Sequence, residues 1–261
     1  MPANPVLNAQ RWGPAAAPAD AATQTKRMTL GGTAFATGVL LFLLCLTGVW
    51  GYSQTTQTTE IRIVNGQPTE VVTTAPPAIM WLAIIAGLVF GIATALRPHW
   101  ARVTAPLYAL CYGVAVGMIS GVYELYWDGI VLQAILATIA TFIVVFGLYV
   151  ARIIRPTRKV VLTIVAATGG IFLMYLVAFV ASIFGADLYF WNNPSPLGIG
   201  ISVVICIVAA LNLILDFGFI EGATQQGAPK YMEWYGAYGV TVTLVWLYLE
   251  ILRLLSLLNR S

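Results

Sequence analysis

Seven long apolar runs, separated by short polar links, dominate the chain. They lie at about 28–51, 78–96, 103–123, 129–151, 160–184, 197–220 and 236–258. About 20 apolar residues cross the hydrocarbon core of a bilayer as a helix, and each run is close to that length. None shows the two-residue alternation of an outer-membrane strand. A helix satisfies its own backbone groups inside hydrocarbon. The pattern therefore predicts an all-α integral membrane protein, a bundle of seven transmembrane helices. The first run is longer than a signal-peptide core and reads as an uncleaved helix.

The flanks differ in kind. Residues 1–27 are rich in Ala and Pro and hold too few large apolar groups to bury, which predicts a disordered tail. Residues 53–77 are polar and Thr-rich. Within them EIRIVNGQPTEVV sets Asn65-Gly66 between two β-prone arms, a hairpin signal in an extracytoplasmic loop. The organisation read from the chain is a tail over 1–27 and a seven-helix domain over 28–261.

Charge gives the orientation. Lys26 and Arg27, then Arg97 and Arg102, then Arg152, Arg155, Arg158 and Lys159 fall in links on one side. The opposite links hold Glu60, Arg62 and Glu70, then Glu124 and Asp128, then Asp187. Basic links face the cytoplasm. The expected N-terminus is cytoplasmic, and seven crossings put the C-terminus outside. Glu124 and Asp128, flanked by Tyr123, Tyr126 and Trp127, read as an exposed interfacial group, with a cation-attracting mouth as the alternative.

Composition sharpens the class. The chain is 59% hydrophobic and 9% charged, against about 25% charged in soluble domains. The net charge of +3 resides at helix ends and implies no nucleic-acid partner. Cys45, Cys111 and Cys206 are scattered in apolar runs and read as small buried hydrophobes. His99, the single histidine, has no partners for a zinc site. No nucleophile with a base, H-E-x-x-H or Walker loop is present, so no enzyme and no cofactor are predicted. Gly113, Gly117 and Gly121, and Gly87 and Gly91, recur every four residues and predict close helix packing.

Two acids stand inside membrane-length runs: Asp216 in IVAALNLILDFGFI and Glu250 in TVTLVWLYLEILRLL. Each costs about 2.5–3.5 kcal/mol on insertion scales, so each is a candidate functional residue. Asp216 is expected about five residues, about 8 Å, from the cytoplasmic end of its helix, and Glu250 near mid-span. Arg97 closes the second helix on the same cytoplasmic side. Two carboxylates meeting in a low-dielectric site cannot both ionise easily and titrate as a unit. Such a pair acts as a pH sensor and, when ionised, attracts a hard cation. Calcium takes 6–8 oxygen ligands, so two carboxylates give it a transient site. Other readings stay open. Asp216 lies at the interface, or Glu250 pairs with Arg253 one turn on, or the acids never meet, since their expected depths differ by about 9 Å. Glu221, Lys230 and Glu233 read as solvated link residues.

The stretches AALNLILDFGFIEGA, GAYGVTVTLVWLYLEILRLLSLL and LYALCYGVAVGMISGVYE, with the N-terminal NPVL, resemble the Bax inhibitor family, in its bacterial YccA-like branch and of actinobacterial type. The resemblance covers most of 28–258. It implies a seven-helix bundle with the last helix central, in the bacterial inner membrane. It also implies a pH-sensitive calcium leak. In such relatives two aspartates on the sixth and seventh helices share a hydrogen bond, and an arginine at the end of the second helix latches one of them. By position Asp216 and Arg97 match, and Glu250 stands where the second aspartate would be. Glu250 departs from that pattern by one methylene. Cys111-Tyr112 fall where many relatives carry an acid. A second branch modulates a membrane-bound AAA protease, with the tail as the expected handle. A proton-coupled transporter ranks last, because no inverted repeat or broken helix pair is visible.

Overall fold

The computed structural model of the chain describes residues 27–55, 58–64, 67–73, 78–154, 156–185 and 194–260, with backbone only along 58–64 and 67–73. The tail at 1–26, the turn Asn65-Gly66, Arg155 and Asp187 lie outside the described residues. In chain order the elements are α1 (Leu30–Ser53), β1 (Thr58–Val64), β2 (Gln67–Thr73), α2 (Ala78–Leu96), α3 (Ala101–Tyr126), α4 (Ile130–Val150), α5 (Arg158–Ile183), α6 (Pro196–Gln225) and α7 (Met232–Arg260). A short 3₁₀ turn at Pro98–Trp100 links α2 to α3. All seven α-helices are long and apolar enough to cross a membrane. The β1–β2 pair is antiparallel, with Val64 opposite Gln67 and Thr58 opposite Thr73.

Local chemistry sets the helix starts. Thr29 caps α1, its hydroxyl accepting from the Gly32 N–H at 3.0 Å. Thr157 caps α5 and Ser195 caps α6, where Pro196 supplies a first-turn residue that needs no N–H partner. Glu124 accepts from the Gly129 N–H at 2.7 Å and the Val131 N–H at 3.0 Å. It is the start of α4, rather than an open acidic mouth, that uses this carboxylate. Asp128 is exposed.

The expected central helix is found. α7 packs against α1, α3, α4 and α6, and α3 and α7 bury the largest share of their residues. Large apolar side chains such as Phe35, Leu82, Ile143 and Phe172 point outward. In a bilayer they meet lipid, so outward apolar faces and an inward core coexist without conflict. Cys45 shares that outward face, whereas Cys111 and Cys206 are half-buried.

The glycine repeats form the packing seams. On α3, a Cβ at Gly117 would land on the carbonyl of Gly48 in α1, and one at Gly113 on Thr47 and Leu44. A Cβ at Gly87 would come 2.7 Å from the Tyr112 ring, joining α2 to α3. Tyr238 of α7 donates to the Gly91 carbonyl at 3.1 Å, and Tyr108 and Tyr238 meet edge to face. Where hydrophobic driving force is absent between helices, such close backbone approach supplies the contact.

Two helices outrun their apolar stretches. α6 continues to Gln225 and α7 begins at Met232. Asp216 therefore stands nine residues, about 14 Å, before the end of α6, deeper than the run length implies. The extension also changes the reading of Glu233. It is 5% exposed, and it accepts from the Thr29 N–H at 3.0 Å and the Thr29 hydroxyl at 2.9 Å. A carboxylate at a helix N-terminus is favoured by the unpaired N–H groups there. Glu233 thus ties the start of α7 to the start of α1, a tie the Met28 N–H strengthens by donating to the Ala228 carbonyl at 2.7 Å.

Candidate functional site

The central helix carries one stripe that organises the site. Gly239, Thr243, Trp246, Glu250 and Arg253 follow one another at alternating steps of four and three, so they share one face of α7. Asp216 of α6 meets the lower part of that stripe. Its Oδ2 accepts from the Thr243 hydroxyl at 2.7 Å. Its Oδ1 faces Gly239, where an added Cβ would come to 3.2 Å, so glycine leaves the carboxylate its space. Asp216 is half-buried.

Glu250 occupies the upper part and is 3% exposed. Oε1 accepts from the Ser202 hydroxyl of α6 at 3.0 Å and from Arg253 Nη1 at 3.1 Å. Oε2 accepts from the Tyr175 hydroxyl of α5 at 2.5 Å. Three helices thus converge on one carboxylate. Arg253–Glu250 is the one ion pair among the described residues. Beside it lies a cleft of about 560 Å³ between α3, α5 and α7, lined among others by Tyr123, Thr168, Phe172 and Trp246.

Among the candidate residues, the structure brings together Glu250 and Arg253 but neither Glu250 nor Arg97 with Asp216. Thr243, the partner of Asp216, precedes Glu250 by seven residues, about 10 Å along α7. Ser202, the partner of Glu250, precedes Asp216 by fourteen residues on α6, about 21 Å. Register alone keeps the two carboxyls apart. Arg97 is exposed, and its guanidinium lies over the Trp100 ring at 5.1 Å, a cation–π contact that needs no acid.

Chemically the two acids are unlike. Glu250 uses three acceptor positions on an internal cation and two hydroxyls, a charge-compensated arrangement. Asp216 has a single hydroxyl donor and no basic neighbour in an ion pair among the described residues. Neither supplies the 6–8 oxygens of a holding calcium site. Among the described residues no three His, Cys, Asp or Glu side chains come together.

A family model described as Bax inhibitor 1 like matches residues 4–260. The chain belongs to that family. Comparison with curated proteins and with solved structures gives no match. In this family member the hydroxyls that complete the site, Tyr175, Ser202 and Thr243, escape sequence reasoning. Each is a single polar group in an apolar helix, and only the helix registers decide which acid it meets. The four-and-three spacing from Gly239 to Arg253 marks Thr243 alone; Tyr175 and Ser202 carry no such signal.

Proposed function

We propose that this protein is a multi-pass leak pathway, not an enzyme, that passes calcium, or protons linked to it, down a gradient. Asp216 and Glu250 act as two carboxylate stations in series along one face of α7, and Trp246 lies between them. Calcium is cargo here and keeps much of its hydration at each station. The observation that supports the reading is the shared face of α7: Asp216 meets it at Gly239 and Thr243, and Glu250 stands on it seven residues after Thr243. Arg253 takes the counter-ion role that the family resemblance assigns to Arg97. With Arg253 and Tyr175 engaged, Glu250 offers a passing cation little, so the geometry corresponds to a closed path. Protonation of either acid changes the charge of the path and makes flux depend on pH.

The basic links support a cytoplasmic N-terminus, and the quoted C-terminal stretches support the bacterial YccA-like branch and the inner membrane. Modulation of a membrane-bound AAA protease would draw on residues 1–26, outside the described residues, and nothing in the bundle favours it. The test is calcium-dye influx into proteoliposomes across pH. Wild type gives pH-dependent influx. Asp216→Asn lowers it about tenfold, the loss of about 1.4 kcal/mol of cation attraction, and flattens its pH profile. Equal, pH-independent influx in both removes Asp216 from the path.

A further inference from the structure

A second cleft, of about 840 Å³, opens between α1, α4 and α6, with Val240 of α7 in its lining. Along α1 it extends from Leu30 to Leu41, about 16 Å of helix, and along α6 from Phe217 to Gln225, about 12 Å. One leaflet of hydrocarbon is about 15 Å deep, half of the core. The cleft is therefore as deep as a single leaflet. Its deep end is apolar, formed by Leu41, Phe142, Phe217 and Val240, and its shallow end is polar, where Arg152, Glu221 and Gln225 gather.

The polar end carries both signs, and the two charged groups are differently engaged. Glu221 is already occupied: its carboxylate accepts from the Tyr149 hydroxyl and from Gln225 Nε2, the latter at 3.2 Å. Arg152 is exposed; its N–H donates to the Tyr149 carbonyl at 3.0 Å, and its guanidinium forms no hydrogen bond or ion pair among the described residues. Arg158 and Lys159 follow in the first turn of α5. Arg152 also holds a left-handed backbone, φ 58°, the one non-glycine residue to do so among the described residues. It closes α4 as a left-handed C-terminal cap, with the Ile153 N–H donating to the Leu148 carbonyl at 3.0 Å. Glycine is the ordinary occupant of that position. A strained side chain kept at the mouth of a cleft points to use of that side chain.

We propose that this cleft binds an anionic phospholipid of the leaflet facing the α1 N-terminus, with its acyl chain between α1, α4 and α6 and its phosphate on Arg152. The depth of one leaflet selects a chain, and the exposed Arg152 guanidinium selects an acidic headgroup. The proposal does not rest on the leak pathway, and its test does not measure flux.

The experiment is native mass spectrometry of the full chain in detergent, titrated with phosphatidylglycerol or with phosphatidylcholine of the same acyl chains. Wild type retains phosphatidylglycerol about fivefold better, the weight of one basic residue at a membrane surface. Arg152→Lys keeps that preference. Arg152→Gly abolishes it while the melting temperature holds or rises, because glycine relieves the left-handed backbone. Gly38 lines the cleft, and a Cβ there meets nothing within 4 Å. Gly38→Phe thus starts its side chain from an open position on the cleft wall and reduces retention of both lipids. Equal retention of the two lipids by wild type, a preference surviving Arg152→Gly, or unchanged retention in Gly38→Phe overturns the proposal.

Discussion

Arg253→Met destabilises the protein by about 3–5 kcal/mol, the usual cost of leaving one member of a buried ion pair uncompensated. Glu250 is 3% exposed and the Arg253 side chain 13%, so water cannot replace the lost guanidinium. The Ser202 and Tyr175 hydroxyls remain as donors and hold the cost toward the lower end of that range. Glu250→Gln/Arg253→Met removes both charges and recovers most of the loss, since the amide oxygen accepts from one hydroxyl and its NH2 donates to the other. Denaturant unfolding of wild type, both single variants and the double variant gives the coupling directly. A double-variant loss equal to the sum of the two single losses would show that the pair carries no coupling.

Gly117→Ala is the second large effect. The added methyl lands on the backbone of Gly48, not on a flexible side chain. Backbone carbonyls cannot step aside, so α1 and α3 must separate. They form the most extensive helix pair among the described residues. Overpacking costs about 1–3 kcal/mol, and the upper part of that range applies here, with Gly113→Ala adding to it. Gly147→Ala in α4 is the control. Its Cβ meets nothing within 4 Å, and replacing a mid-helix glycine gains about 0.5–1 kcal/mol. Parallel unfolding curves check both. A neutral Gly117→Ala would mean that the seam contributes little.

The fold was legible where one helix decides the matter. Each apolar run became a helix, and the glycine repeats became seams because small residues every four positions fall on one face. The strands around Asn65-Gly66 pair as the sequence implies. Helix ends were less legible, because Glu221, Gln225 and Glu233 are polar and yet helical. Glu233 looks like a solvated residue in sequence. Its partner Thr29 is 204 positions away, and nothing local announces the contact.

The site was legible in its acids and not in their partners. Asp216 and Glu250 stand out because a carboxylate in an apolar run has no cheap explanation. Arg253, three residues after Glu250, was readable from helical spacing. Tyr175 and Ser202 were not, because α5, α6 and α7 must first be set in register. The family resemblance suggested a touching pair of acids latched by Arg97. In this chain Thr243 and Ser202 hold the acids at different depths, and Arg97 rests on Trp100.

That separation is the central claim, and calcium influx in the double variant tests it most directly. Residues acting as one unit give single variants as damaging as the double. Stations in series give independent losses that multiply. Influx through Asp216→Asn, Glu250→Gln and Asp216→Asn/Glu250→Gln is measured at matched protein content and one pH. With two stations in series the double variant falls by the product of the two single-variant factors. A double variant no slower than either single variant, or three variants indistinguishable from wild type, would contradict it.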